Sequence, residues 1–242
     1  MLWPGVGSWL PLVRGNHIRG LRRVRRRARR LVRAAAGPVL VCANHLTWVD
    51  SLLVQWVLGG PLAALGGSRW LLWNLPERRN FCRRPWMRAA CYLGRCLPIE
   101  RGGDRSEQRR VLARARWLLA AGDLVLIFPE GGRSRSGRVE MSSITYGVGS
   151  LAASLPRCSV LCVYLRGQRQ DGPTVLPAPG ERFDVDFELF QPRAQGSSLR
   201  RARSIALSIG ARLVELERRY YARASVSARS GRPRGRAALG RG

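Results

Sequence analysis

The sequence predicts a single α/β domain, with a largely parallel central sheet, helices on both faces, and a basic amphipathic helix ahead of it. Two observations carry this reading. Short apolar runs with β-branched residues recur at 39–43, 124–128 and 160–165, the pattern of strands buried on both faces. Helical stretches lie between them, so the order alternates α and β. A chain of 242 residues with 45% apolar content is long enough for one core of this kind.

In chain order, residues 18–35 form the basic helix. Ile18, Leu21, Val24, Ala28, Leu31 and Ala35 recur at three- and four-residue steps, and nine arginines between Arg19 and Arg33 fill the remaining surface. A narrow apolar stripe beside dense positive charge suits a lipid headgroup boundary, or else packs on the domain with its arginines solvated. Segment 1–36 is therefore expected to associate with a membrane, and 37–222 to form the α/β domain. Ser51–Gly67 is uncharged but is broken by Gly59-Gly60-Pro61, so it reads as core rather than as a span. A strand is expected to end near Ile99. The helix over 105–121 starts behind Asp104 as a cap and stops at Gly122. Phe183, Val185, Phe187 and Leu189 alternate with Asp184, Asp186 and Glu188, which predicts a strand with one wet face. Leu199, Ala202, Ala206, Ile209, Leu213 and Leu216 mark a closing amphipathic helix. Residues 223–242 are dominated by Arg, Ser, Gly, Pro and Ala and are expected to be disordered.

The formal net charge is +28, from 43 basic and 15 acidic residues, and the chain has no lysine. An all-arginine usage points to coding bias. The charge still favours anionic membranes or acidic carriers. A specific nucleic-acid binder would interleave aromatic platforms with its arginines, and no aromatic lies between Ile18 and Ala36. Six cysteines at 42, 82, 91, 96, 158 and 162 form no C-x-x-C pair, and with two histidines they predict buried reduced thiols and no metal site. No Walker loop, nucleophile elbow or dinucleotide fingerprint is present.

Four blocks fall at the ends of predicted strands, where open α/β sheets place ligands. In the first, Asn44-His45-Leu-Thr-Trp-Val-Asp50, a histidine suited to general-base work precedes an aspartate by five residues. On a regular helix that offset turns the two side chains about 140° apart, so the pair needs His45 in the turn and Asp50 reaching back. The second block places Arg101 beside Gly102-Gly103 as a candidate phosphate clamp. The third is Phe128-Pro-Glu130-Gly131-Gly132-Arg133-Ser134. Its glycines let a backbone approach an anion, Arg133 adds charge, and Glu130 is placed to hold that arginine or the acceptor. The fourth is the strand over 160–166. His17, the other histidine, has no acidic neighbour nearby and reads as surface.

In this order and spacing, N-H-x-x-x-x-D, Ile-x-Arg, F-P-E-G-x-R-S and a hydrophobic strand, the chain resembles the glycerolipid acyltransferase family over residues 38 to about 190. Gly132 stands where a threonine is usual, and Cys162 and Val163 stand where a proline is common. The resemblance implies O-acyl transfer from acyl-CoA or acyl carrier protein to 1-acylglycerol-3-phosphate (lysophosphatidic acid), without an acyl-enzyme and without a cofactor. His45 and Asp50 would be catalytic. Asn44, Arg101, Glu130, Gly131, Gly132, Arg133 and Ser134 would bind substrate. The protein would sit peripherally on the cytoplasmic face of the inner membrane. Two alternatives remain open: another acceptor, such as glycerol-3-phosphate, a different lysophospholipid or an unphosphorylated lipid, and a catalytically inactive anionic-lipid binder.

Overall fold

The computed structural model describes residues 14–60, 70–81, 85–100 and 102–230. Six strands, β1 (His17–Ile18), β2 (Val39–Ala43), β3 (Leu72–Asn74), β4 (Leu124–Ile127), β5 (Ser159–Gly167) and β6 (Arg182–Phe190), form one sheet in the order β1-β6-β5-β2-β4-β3. All neighbouring pairs are parallel except β5 and β6. The helices are α1 (Leu21–Ala34), α2 (Asp50–Leu58), α3 (Arg78–Phe81), α4 (Pro85–Leu93), α5 (Arg105–Ala120), α6 (Tyr146–Ala153) and α7 (Ser198–Ser230).

Because successive strand residues face opposite ways, each strand feeds two cores. Leu40, Cys42, Val125, Val160, Cys162 and Tyr164 meet Leu118 and Leu119 of α5, Val148 and Leu151 of α6, and Ile209 and Leu213 of α7. On the other face Val39, Val41, Ala43, Leu126, Leu161 and Val163 meet Ala28 and Val32 of α1 and Val54 and Leu58 of α2. β2 is buried along its whole length between β4 and β5. Its register sets Cys42 opposite Ile127 and Ala43 opposite Val163, so the chain leaves the sheet at Asn44 beside the point where β4 gives way to Phe128. This adjacency places the site.

The apolar stripe of α1 packs on the domain. Ala28 and Val32 are buried, Val24 and Leu31 lie against the sheet, and the stripe is not free to enter lipid. Two of its arginines close the end of α2. Arg25 donates Nε to Val57 O at 3.1 Å and Nη2 to Trp56 O at 2.5 Å; Arg29 donates Nε to Leu58 O at 2.8 Å and Nη2 to Gly59 O at 2.7 Å. Four carbonyls left without helical partners thus receive charged donors, at the end of the helix dipole that favours cations.

Three further expectations change. The predicted strand ending near Ile99 is two isolated bridges, Asn74 to Cys96 and Glu77 to Ile99, and the regular strand here is β3. The polar face of β6 is only partly wet: Asp186 is 6% exposed and pairs with Arg27 and Arg223, while Asp184 and Glu188 stay partly exposed, Asp184 pairing with Arg19. Residues 223–230 are helical, not disordered, because the run Ala222–Ala228 contains no Gly or Pro and the first breaker is Gly231. The expectation for 231–242, and that for residues 1–13, lies outside the described residues. α5 follows its sequence signals closely: Asp104 Oδ1 accepts from Ser106 N at 3.0 Å, and Gly122 takes the left-handed φ of +89°.

Candidate active site

Asp50 is the first residue of α2, and His45 sits in the turn before it, outside the helix. This is the arrangement in which a five-residue offset brings the two side chains together. His45 Nδ1 lies 3.0 Å from Asp50 Oδ2, the histidine side chain being 16% exposed and the aspartate 4%. The same carboxylate accepts from Leu46 N at 2.6 Å, Thr47 N at 2.7 Å and Thr47 Oγ1 at 2.5 Å. Four donors from one short segment fix it in place. A carboxylate oxygen only accepts, so Nδ1 carries the ring proton and Nε2 is left to take one from a substrate. On its other side the imidazole stacks on Phe128, ring centroids 4.0 Å apart and 14° from parallel.

The third block forms the facing wall. Gly131 adopts φ +70°, where a side chain would be strained and its Cβ would press Thr145 Cγ2 at 3.0 Å. Gly132 has nothing within 4 Å of the position of a Cβ, so the backbone here opens onto free space. Ser134 N donates to His45 O at 2.9 Å and joins the two blocks directly. Arg133 is exposed. Its Nη1 donates to Thr174 O at 3.3 Å and its guanidinium lies 5.6 Å from the Trp48 ring centroid, so it reaches over the turn rather than towards Glu130. Glu130 is 8% exposed, and Oε1 has no hydrogen-bond partner. Burial pushes its carboxyl up to about 7, against the pull of the Glu140 and His45 backbone N–H groups.

The structure therefore gathers His45, Asp50, Glu130, Gly131, Gly132, Arg133 and Ser134 at the carboxyl ends of β2 and β4. Arg101 lies outside the described residues. Asn44 belongs to the scaffold: its Nδ2 donates to Leu165 O at 3.0 Å and its Oδ1 accepts from Leu165 N at 2.8 Å, which ties β2 to β5 below the site. The Ser134 hydroxyl donates to Arg138 O at 2.5 Å, within its own loop. The fourth block, in β5, is buried throughout as core.

Several contributors escaped the sequence reading. Thr47 and Phe128 lie within the first and third blocks, and only the fold brings them to Asp50 and His45. The β5–β6 connection lies along the turn, with Thr174 N donating to Leu46 O at 3.1 Å and Trp48 N to Val175 O at 3.2 Å. No local signal announces such a contact. Burial drives Cys42 and Cys162 upward and Cys158 up to about 11, so these free thiols are inert core residues. Among the described residues no group of His, Cys, Asp or Glu gathers into a metal site, and no helix is long and apolar enough to cross a membrane.

A search of curated proteins returns no match. Among solved structures the chain is similar to the 1-acyl-sn-glycerophosphate (LPA) acyltransferase PlsC from Thermotoga maritima, at 18% identity and a TM-score of 0.38, over 81% of this chain and 78% of that one. A likeness at that score carries no weight for function. The family model named Acyltransferase matches residues 17–166, which is more than half of the chain and includes the histidine turn, the acidic partner and the glycine loop. With that match added to the geometry, the chain belongs to the Acyltransferase family and is an acyltransferase.

Proposed function

We propose that the protein moves a fatty acyl group from acyl-CoA or acyl carrier protein to the free hydroxyl of 1-acylglycerol-3-phosphate in phospholipid synthesis. The observation that carries this reading is the contact of His45 with Asp50 at 3.0 Å, facing a glycine loop with an exposed arginine. Asp50 holds Nδ1–H, and Nε2 accepts the proton of the acceptor hydroxyl as its oxygen attacks the thioester carbonyl. A C–O bond forms, the C–S bond breaks, and the proton on Nε2 passes to the departing thiolate. No acyl-enzyme is formed. Arg133 binds the acceptor phosphate, and the open backbone at Gly132 gives that phosphate room. Arg101 is assigned to the same phosphate on the resemblance alone.

The membrane is met through charge rather than through the apolar stripe of α1. Arg22, Arg23, Arg26 and Arg30 are exposed on that helix, and each basic residue near an anionic leaflet adds about 1 kcal/mol of attraction. Peripheral attachment at the cytoplasmic face of the inner membrane follows from this reading.

The test offers labelled acyl-CoA and acyl carrier protein to the purified protein on anionic vesicles, with lysophosphatidic acid, glycerol-3-phosphate and unphosphorylated lysolipids as acceptors. Transfer to lysophosphatidic acid that drops on the order of 10² to 10⁴ in His45→Ala supports both chemistry and acceptor. Turnover in His45→Ala close to that of the parent removes the general base. Transfer confined to unphosphorylated acceptors moves the substrate to another lipid class.

A further inference from the structure

We infer that Glu217, on the carboxyl-terminal helix α7, is a positioning residue that holds the acceptor-binding loop 131–140 in register with His45. The inference rests on the reading of that loop as the phosphate site. Glu217 lies outside residues 17–166, the part of the chain that the family model matches.

Backbone bonds from separate elements fasten the loop along its length. Ser134 N donates to His45 O at 2.9 Å at the mouth of the site. Farther along, the buried Arg166 at the end of β5 donates Nη1 to Gly137 O at 2.5 Å, and its Nη2 bonds Gln170 O at 2.7 Å. At the base Val139 N donates to Glu217 Oε1 at 3.2 Å, from a residue 78 positions away in the chain. The same oxygen accepts from Tyr164 OH at 3.2 Å. Glu217 is 7% exposed, so a backbone N–H deprived of it would lose its partner inside the protein, which costs more than a surface contact.

Helix α7 is built to deliver this carboxylate. A Cβ on Gly210 would lie 2.8 Å from Met141 Sδ and 2.9 Å from Ile144 Cγ1, so the helix rests directly on the segment that follows the loop. At Gly149 a Cβ would fall 1.9 Å from Ala202 O, which locks α6 against α7 farther down. Glu217 follows Gly210 by two helical turns on the same face. Around it, Arg138 lies 3.6 Å from the Tyr221 ring centroid and Arg166 lies 5.3 Å from it. The loop base is thus closed between α7 and β5. From Val139 the chain runs to Glu140, whose N–H lies 3.5 Å from Glu130 Oε2, and that carboxyl is also drawn on by the His45 N–H. A shift at Glu217 therefore displaces the wall that faces the general base.

The experiment compares Glu217→Leu and Glu217→Gln with the full-length parent, using lysophosphatidic acid on anionic vesicles and acyl-CoA. The amide oxygen of glutamine still accepts from Val139 N–H and Tyr164 OH, whereas leucine fills the space and accepts nothing. The expected result for leucine is a KM for lysophosphatidic acid about tenfold higher, with kcat and the acyl-CoA KM changed by less than about threefold and glutamine within about twofold of the parent. Hydrogen exchange in the peptide containing Val139 should speed up in the leucine variant alone. An unchanged acceptor KM in folded Glu217→Leu overturns the inference, as does a loss in kcat that follows the folded fraction. Should leucine prevent folding, Glu217→Asp, one methylene short of the amide, carries the same comparison. If the parent accepts no phosphorylated lipid, the acceptor reading falls, and the exchange at Val139 still decides whether Glu217 holds the loop.

Discussion

The turn 44–50 and the loop 131–140 meet at one hydrogen bond, Ser134 N–H to His45 O at 2.9 Å, yet each is held in its own way. In the turn, one carboxylate collects four donors supplied by His45, Leu46 and Thr47, all within five residues of Asp50. The loop has a short-range bond of its own, Ser134 Oγ–H to Arg138 O, and adds fixed points from Arg166 and Glu217, which belong to a strand and a helix elsewhere in the chain. A group that must hold a proton relay to a few tenths of an ångström gains from local bonding, because little intervening structure can shift it. On the proposed reading, the loop admits and releases an acceptor, and distant supports leave its tip at Gly132 open.

This comparison can be broken at several points. Asp50→Asn should have the largest effect. It removes the negative charge and one of the two acceptor oxygens of the group that holds Nδ1–H, and kcat should fall on the order of 10² or more while the acceptor KM stays level; steady-state kinetics of the folded variant checks this. Arg133→Ala should do the reverse, raising the KM of a phosphorylated acceptor about tenfold at nearly constant kcat, and should leave an unphosphorylated acceptor unaffected.

Glu130 gives a pH signature. Its carboxyl is pushed up to about 7 by burial, so the folded chain binds this proton more tightly than the unfolded chain does. Between the ordinary glutamate value near 4.5 and about 7, its contribution to stability should fall as pH rises, and it should be level on either side of that window. Glu130→Gln should flatten this part of the curve, read from denaturant midpoints at pH 4.5, 6 and 8. The smallest effect is expected of Thr47→Val, which loses the hydroxyl bond to Asp50 Oδ1 and should cost about 1 kcal/mol of stability with kcat reduced less than in Asp50→Asn. A Thr47→Val variant as inactive as Asp50→Asn would mean that the turn is not locally over-determined.

Much of the local half was legible in the residues. The runs at 39–43 and 124–128 announce buried strands because nothing polar interrupts them, and Asp104 and Gly122 bracket α5 through capping chemistry. The five-residue spacing of His45 and Asp50 even states the condition it needs, a histidine outside the helix. The distant half was harder to see. β3 is three residues long and runs straight into Leu75-Pro76, too short for a periodicity to register. The resemblance implies a substrate role for Asn44, whereas its amide bonds the backbone of β5. Glu217 did leave a trace: it sits four residues after Leu213, on the apolar stripe of a helix, where a carboxylate is out of place unless something bonds it. The stripe of α1 was legible, and the surface that it covers was not.

The sequence by itself determined the alternation of buried strands and helices, the ends of α5, and the condition under which His45 can pair with Asp50, because each follows from steric and hydrogen-bonding rules that act within a few residues. Tertiary structure decided what α1 packs against, which arginines cap α2, how far Asp186 is withdrawn from water, and which carboxylate holds the base of the loop. Those outcomes depend on sheet order and helix placement, which bring together groups far apart in the chain and leave no mark on the residues next to them.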